Sequence, residues 1–230
     1  MRMENEKRMM TGAIFDVDGV LLDSMNVWGE IDAQYLIRQG KTPDADLSKV
    51  LFAMHMTESV EYLRNKYELP GSCEEILGQI VEMMEEYYTH IIQPKEGTVE
   101  LLKALKEREI PVTVATAGDR GLARAGLESG GLMPYIDAVF TCEDVGQGKE
   151  SPAVYLAALE SMGTDLASTW VFEDSLHGIL TAGRAGFPTV GVYDQASEGN
   201  HGRIKENCTY YLEDFGAWED FLKEATKWQG

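Results

Sequence analysis

The chain has 230 residues, 44% hydrophobic and 26% charged, the balance of a globular protein with one large domain or a domain plus an insertion. Its 20 Lys and Arg against 39 Asp and Glu give a formal net charge of −19, which disfavours nucleic acid and anionic membranes as partners and obliges any anionic ligand to meet local cations. Cys73, Cys142 and Cys208 lack metal-type spacing, the first residues carry no apolar signal core, and no run is long and apolar enough to span a bilayer, so three inert thiols and a cytoplasmic location are expected.

The first strand candidate covers 12–17 and runs into Phe15-Asp16-Val17-Asp18-Gly19-Val20. A short continuous apolar run reads as a buried parallel strand, and open parallel sheets gather their chemistry at the strands' carboxyl ends. Alternate side chains on a strand share a face, so Asp16 and Asp18 are predicted to point into one site, with Gly19 turning the chain away. Two carboxylates about 4 Å apart repel by about 4 kcal/mol at an effective dielectric near 20. A hard dication with oxygen ligands, Mg²⁺ first, answers that repulsion.

The stretch 25–93 carries no strand signal. Val27, Trp28, Ile31, Tyr35 and Leu36 recur at helical spacing, and so do Ile76, Leu77, Ile80, Val81, Met84 and Tyr88 behind the capping-box pattern Ser72-Cys73-Glu74-Glu75. An all-helical block inserted after the first strand is expected to lie over the strand tips as a lid, its apolar stripes forming its own core.

Beyond it, strand candidates at 111–115, 138–141, 169–172 and 188–193 alternate with helices at 98–108, 122–129, 152–162 and 176–185, and 218–228 reads as a closing helix. This alternation predicts an α/β fold, a doubly wound, Rossmann-like parallel sheet. The expected domains are 1–24 with 94–230 as the α/β core, and 25–93 as the cap. Chemistry-bearing residues fall at three further strand ends. Thr116 precedes Ala117-Gly118-Asp119, a Gly-containing turn whose hydroxyl and backbone N–H groups can cradle phosphate oxygens. Lys149 stands in Gly148-Lys149-Glu150-Ser151-Pro152, where Glu143 and Glu150 occupy the Gly and Ser/Thr positions a P-loop requires; read alone, it is a surface lysine. Glu173 and Asp174 end the run Trp170-Val171-Phe172, and adjacent acids at a buried strand tip call for a cation.

This ordered set resembles the haloacid dehalogenase-like hydrolases, nearest their β-phosphoglucomutase-like and phosphoglycolate-phosphatase-like members. The resemblance is carried by Phe15-Asp16-Val17-Asp18-Gly19-Val20-Leu21-Leu22-Asp23-Ser24, by Val171-Phe172-Glu173-Asp174-Ser175 and by Gly148-Lys149-Glu150-Ser151-Pro152, and covers nearly the whole chain. It implies a Mg²⁺-dependent phosphatase acting on a small phosphorylated metabolite. Asp16 would be the nucleophile and Asp18 the general acid and base. Thr116, the Ala117 backbone and Lys149 would hold the transferring phosphoryl group, with Asp16, the Asp18 carbonyl, Asp174 and, more ambiguously, Glu173 at the metal.

Within that family the acid at Asp18 implies an oxygen leaving group rather than halide. A β-phosphoglucomutase would carry His where Trp28 stands and Arg where Met56 falls. Both departures favour a phosphatase over a mutase and mark Trp28, Met54, His55 and Met56 as candidate substrate contacts in the cap, residues that serve equally as cap core. His177 and His201 read as rim residues. A phosphate-responsive binding module with vestigial hydrolysis is the reading of another class. The oligomeric state stays open, a monomer being the simpler expectation.

Overall fold

The computed structural model describes residues 9–51, 54 and 56–226, the side chains of 56, 57 and 226 excepted. The chain divides into two compact units, one made of 1–23 and 93–230, the other of 24–92.

The first unit is built on a six-stranded, all-parallel sheet. Its strands are β1 (Gly12–Phe15), β2 (Val112–Thr116), β3 (Ala138–Thr141), β4 (Thr169–Glu173), β5 (Thr189–Val192) and β6 (Tyr210–Leu212), in the order β3-β2-β1-β4-β5-β6. Every residue of β1, β2, β4 and β5 is buried. That is the reason for their uninterrupted apolar runs: helices cover both faces of a parallel sheet. The helices of this unit are α5 (Thr98–Glu107), α6 (Arg120–Ser129), α7 (Cys142–Val145), α8 (Ala153–Met162), α9 (Leu176–Ala185), α10 (His201–Asn207) and α11 (Trp218–Thr226). On one face Val154, Tyr155 and Ala158 of α8 pack with Ile14, Ala115 and Val171 of the sheet. Phe15 and Phe172 stack across the β1–β4 pair with ring centroids 4.1 Å apart, and Phe221 of α11 meets Phe172 edge-on.

The order of strands fixes where the site lies. β1 pairs with β2 on one side (Ala13 opposite Val112) and with β4 on the other (Ala13 opposite Trp170), so the direction of winding reverses beside β1. Crevices at the carboxyl ends of such switch points are where α/β proteins bind ligands.

Strand bounds differ from the sequence reading by a residue or two, and one strand is new; β2, expected at 111–115, takes in Thr116. β1 ends at Phe15 rather than 17, because the chain turns at Gly19 (φ 77°) and the carbonyl of Val17 accepts the N–H groups of Val20, Leu21 and Leu22. The strand β6 was not foreseen: it is three residues long, and its two tyrosines are only half buried.

The second unit comprises α1 (Met25–Arg38), α2 (Leu47–Leu51), α3 (Met56–Tyr67) and α4 (Cys73–His90), with α4 packed against α1 and α3. The capping box forms: Ser72 Oγ accepts the Glu75 N–H and the Glu75 carboxylate accepts the Ser72 N–H at 2.7 Å. Ile76, Ile80, Met83, Met84 and Tyr88 are the buried stripe of α4. The 3.6-residue repeat brings Met83 inward and leaves Val81 39% exposed, reversing the expectation for Val81.

Candidate active site

Asp16 stands one residue past β1 and is held from two sides. Its N–H donates to the Phe172 carbonyl at 3.0 Å, carrying the β1–β4 ladder one step further, and its Oδ1 accepts the Val17 N–H at 2.8 Å. Lys149, 4% exposed, is not a surface lysine: its Nζ lies 2.7 Å from Asp16 Oδ1 and 2.6 Å from Glu173 Oε1. Glu173 is the last residue of β4 and fully buried. Tyr155 donates to its Oε1 at 2.7 Å and Ser175 to its Oε2 at 2.8 Å. Ser175 also caps α9 by accepting the Gly178 N–H. Gly178 has to be glycine here, because a Cβ would come within 2.4 Å of the Glu173 carboxyl carbon.

Thr116 ends β2, buried, with its Oγ1 accepting the Gly118 N–H at 2.9 Å. That amide is therefore committed, whereas the sequence reading left the N–H groups of this turn free for phosphate; Ala117 is exposed. A Cβ placed on Gly118 would lie 3.1 Å from Asp18 Oδ2 and 3.3 Å from Thr116 Oγ1, so the acid of the first motif and the hydroxyl of the second border the same point. The structure thus gathers Asp16, Lys149, Glu173 and Asp174 in one cluster and sets Asp18 beside Thr116.

The electrostatics of the cluster follow from one lysine serving three carboxylates. Burial pushes Asp16 up to about 7, Lys149 opposing and Glu173 and Asp18 adding to the rise. Burial likewise drives Asp174 up to about 8, with Glu173, Asp16 and Asp194 contributing. Glu173 ends below the ordinary carboxylate range: burial works against its charge, and Lys149, Tyr155 and Ser175 overcome that. Lys149 stays firmly protonated because Asp16 and Glu173 outweigh its desolvation. Burial and the Glu173 charge hold the Tyr155 hydroxyl far above its ordinary range.

Asp16, Glu173 and Asp174 each present an oxygen within 4.8 Å of the others. With all three ionised, three carboxylates against one ammonium leave two negative charges in excess, and among the described residues the buried Asp174 has only a long hydrogen bond, 3.5 Å from Ser197 Oγ. An all-oxygen, doubly anionic cluster with an under-satisfied buried acid fits a hard divalent cation. Glu173, which already accepts three donors, is the least available of the three.

Tyr155 and Asp194 were missed by sequence reasoning. Tyr155 lies on an apolar helix face, where a tyrosine reads as core. Asp194 did carry a signal: like Glu173, it is an acid at the end of an apolar strand, and it is 5% exposed. The exposed His177 and the half-buried His201 stay outside the cluster, His201 Nε2 lying 2.8 Å from the Asp194 carbonyl. In the helical unit Trp28 Nε1 donates to the Tyr88 hydroxyl at 2.8 Å, the two rings meeting edge to face, and Trp28 borders a cavity of about 360 Å³ with Asp32, Lys49 and Ser59. Met54 is half buried. His55 lies outside the described residues, as does the side chain of Met56.

The family model described as haloacid dehalogenase-like hydrolase matches residues 13–192. The chain belongs to this family. Among curated relatives of this hydrolase is the "Phosphorylated carbohydrates phosphatase" of Thermotoga maritima, 27% identical over 83% of this chain and 88% of the relative. Hexitol phosphatase A of Escherichia coli is 28% identical over 79% of this chain and 82% of the relative. Among solved structures, a β-phosphoglucomutase-like protein of Thermotoga maritima superposes with a TM-score of 0.83 at 25% identity, covering 94% of this chain and 99% of the other. The hydrolase is thus an enzyme of a family whose relatives here are named phosphatases. Among the described residues, no helix is long and apolar enough to cross a membrane.

Proposed function

We propose that this hydrolase is a Mg²⁺-dependent phosphatase that cleaves a small phosphate monoester, a sugar or polyol phosphate, through an aspartyl-phosphate on Asp16. The observation that carries the reading is Lys149 fixed between Asp16 and Glu173 beside the under-satisfied Asp174. Among the described residues the donors to the Asp16 carboxylate, Lys149 and the Val17 N–H, both fall on Oδ1, so Oδ2 is the oxygen assigned to attack. Asp16 Oδ2 forms a bond to phosphorus as the bond from phosphorus to the ester oxygen breaks, and Asp18 gives that oxygen its proton. Water then attacks phosphorus, Asp18 takes up the water's proton, and the Asp16–phosphorus bond breaks to release inorganic phosphate. Lys149, Thr116 and the Ala117 N–H position the phosphoryl oxygens, and the Lys149 charge offsets what accumulates on them. Asp16, the Asp18 carbonyl and Asp174 would hold the dication, with Glu173 steadying Lys149. When bound there, the dication would supply the charge neutralisation that the two acids and the phosphoryl group need to approach one another.

A polyol or sugar phosphate as substrate draws support from the names of the relatives that share most of the chain. The residues 25–93 serve in this reading as the cap, and Trp28, Met54, His55 and Met56 as contacts for the organic part of the substrate. A β-phosphoglucomutase-type reaction is the second reading, favoured by the structural likeness at a TM-score of 0.83. Trp28 and Met56, at the positions where the mutases carry His and Arg, speak against it. Phosphate release from a panel of sugar phosphates, polyol phosphates, nucleotides, phosphoglycolate and pyrophosphate, with Mg²⁺ and with chelator, tests the reading. Release that requires metal and falls on the order of 10⁴-fold or more in Asp16→Asn is the expected result. No release from any compound, with turnover of β-glucose 1-phosphate to the 6-phosphate, would overturn it in favour of the mutase.

A further inference from the structure

Asp194 lies two residues past β5 with a side chain 6% exposed, and its Oδ2 is 2.8 Å from Lys95 Nζ, itself 16% exposed. Asp194 Oδ1 accepts the Ala196 N–H at 2.9 Å and its carbonyl accepts the Ser197 N–H at 3.0 Å. Ser197 Oγ is the group that reaches Asp174 Oδ2 at 3.5 Å. Lys95 also donates to the Tyr193 carbonyl at 2.7 Å, and its N–H donates to the Leu21 carbonyl beside the Leu22–Pro94 bridge. A fourth carboxylate with a lysine of its own is therefore locked next to the cluster by backbone contacts on both partners. Neither belongs to the group of acids close enough together to share a cation.

We propose that Lys95 and Asp194 are a positioning pair that sets the affinity of the Asp16–Asp174 cluster for its divalent cation, Asp194 attracting the ion and Lys95 offsetting that attraction. The inference rests on the reading of that cluster as a metal centre. Asp194 is linked to Asp174 through Ser197 and Lys95 is paired with Asp194, and charges so placed and largely out of water act on an ion in the cluster with less screening than exposed ones. Their signs are opposite, so their removal must move affinity in opposite directions. A pair that only braced the loop would behave otherwise: loss of either partner would loosen Ser197 and Asp174 together and weaken binding in both cases. Together the four acids and two lysines keep a formal charge of −2, which one dication cancels.

Calorimetric titration of Mg²⁺ into the resting protein at pH 9, without substrate, separates these cases, the alkaline pH keeping the acids ionised. Lys95→Met is expected to bind Mg²⁺ about tenfold more tightly than the native chain and Asp194→Asn about tenfold more weakly, the scale of outer-shell effects on metal affinity. Lys95→Arg should bind like the native chain, and the double variant Lys95→Met with Asp194→Asn should return close to it. Weakening in both single variants, or no change beyond about twofold in either, overturns the inference while leaving the metal centre standing. Should a single variant fail to fold, the double variant decides: a large loss of affinity there also overturns it. Native protein that binds no Mg²⁺ would overturn the metal reading and this inference together.

Discussion

The two units of the chain spend their charged residues differently. In the α/β unit Asp16, Glu173, Asp174 and Asp194 are buried at or just past strand ends, Lys149 is buried in the turn between α7 and α8 rather than at a strand end as the sequence suggested, and four of the five are joined by ion pairs shorter than 3 Å. Among the described residues of the helical unit no charged residue is buried, Asp32 at the cavity being half buried. Arg38 pairs with Glu86 where both side chains are about half exposed, and the buried residues of α1 and α4 are apolar or aromatic. A buried charge is costly unless each partner is in place, so a protein retains such a cluster only where geometry repays it. Surface pairs of the second kind contribute little and can be rearranged freely. The first unit is thus built around fixed electrostatics, and the second around a packed apolar stripe.

Removing the cation from the cluster breaks the comparison most severely. Lys149→Met keeps most of the side chain's length but leaves Asp16 and Glu173 facing each other without the ammonium. Loss of one partner from a buried pair costs about 3–5 kcal/mol. Phosphate release should fall about 10²–10³-fold, as for loss of one fixed donor to a developing charge. Urea unfolding and the phosphatase assay on the same preparation read both. A Lys149→Met protein with native stability and native turnover would show that the ammonium carries neither role.

The next effect is on pH dependence. Asp16 and Asp174 have folded-state values of about 7 and 8, above the ordinary 3.8 of an unfolded aspartate. A group whose value is raised by folding stabilises the fold below its unfolded value and loses that contribution as pH rises through the folded one. In metal-free protein the stabilising share of these two acids is therefore complete below about pH 4 and lost between about pH 4 and pH 8. Glu173, held below its ordinary value, contributes in the opposite sense, and only at the acid end. Melting temperature in chelator should decline across the neutral range, and Asp174→Asn should flatten the decline. Mg²⁺ should raise the melting temperature most at the alkaline end, where both acids are ionised. A melting temperature in chelator that rises from pH 5 to pH 8 would contradict the burial argument.

The same contrast explains what could be read from the chain in advance. Asp16, Glu173 and Asp174 were legible because an acid at the tip of an apolar run has few other uses, and the alternation of runs around them gave the parallel sheet. The pairing of Lys149 with Asp16 was not legible: the two lie 133 positions apart, and Lys149 taken alone reads as a surface lysine, the family resemblance assigning it to the phosphoryl group rather than to the acids. Asp194 went unread although it obeys the same rule as Glu173, because its lysine comes from Lys95, a residue next to no motif. In the helical unit periodicity located the helices and most of the stripe. It could not tell Met83 from Val81 at the edge of that stripe, nor say whether Trp28 serves packing or binding, since an aromatic at helical spacing satisfies both.

The mildest test bears on Trp28. Its Nε1 ties α1 to Tyr88 of α4, so Trp28→Phe removes one hydrogen bond while keeping an aromatic ring against Tyr88. A single part-buried hydrogen bond contributes about 1 kcal/mol. Arg38→Ala, which breaks an exposed pair between the same two helices, is the matched control and should leave the melting temperature unchanged within error. If the helical unit is held by its stripe, Trp28→Phe lowers stability by about that one bond and Arg38→Ala by nothing measurable. The kinetic side of the same variant separates binding from packing. A Trp28 that contacts substrate loses affinity when shortened to Phe, so KM for the best sugar or polyol phosphate rises, while turnover of a small aryl phosphate stays as it was. Equal kinetics on both substrates would assign Trp28 to packing alone. A loss of stability in Arg38→Ala as large as that in Trp28→Phe would mean that surface charge, rather than the buried stripe, holds α1 to α4, and the contrast between the two units would fail there.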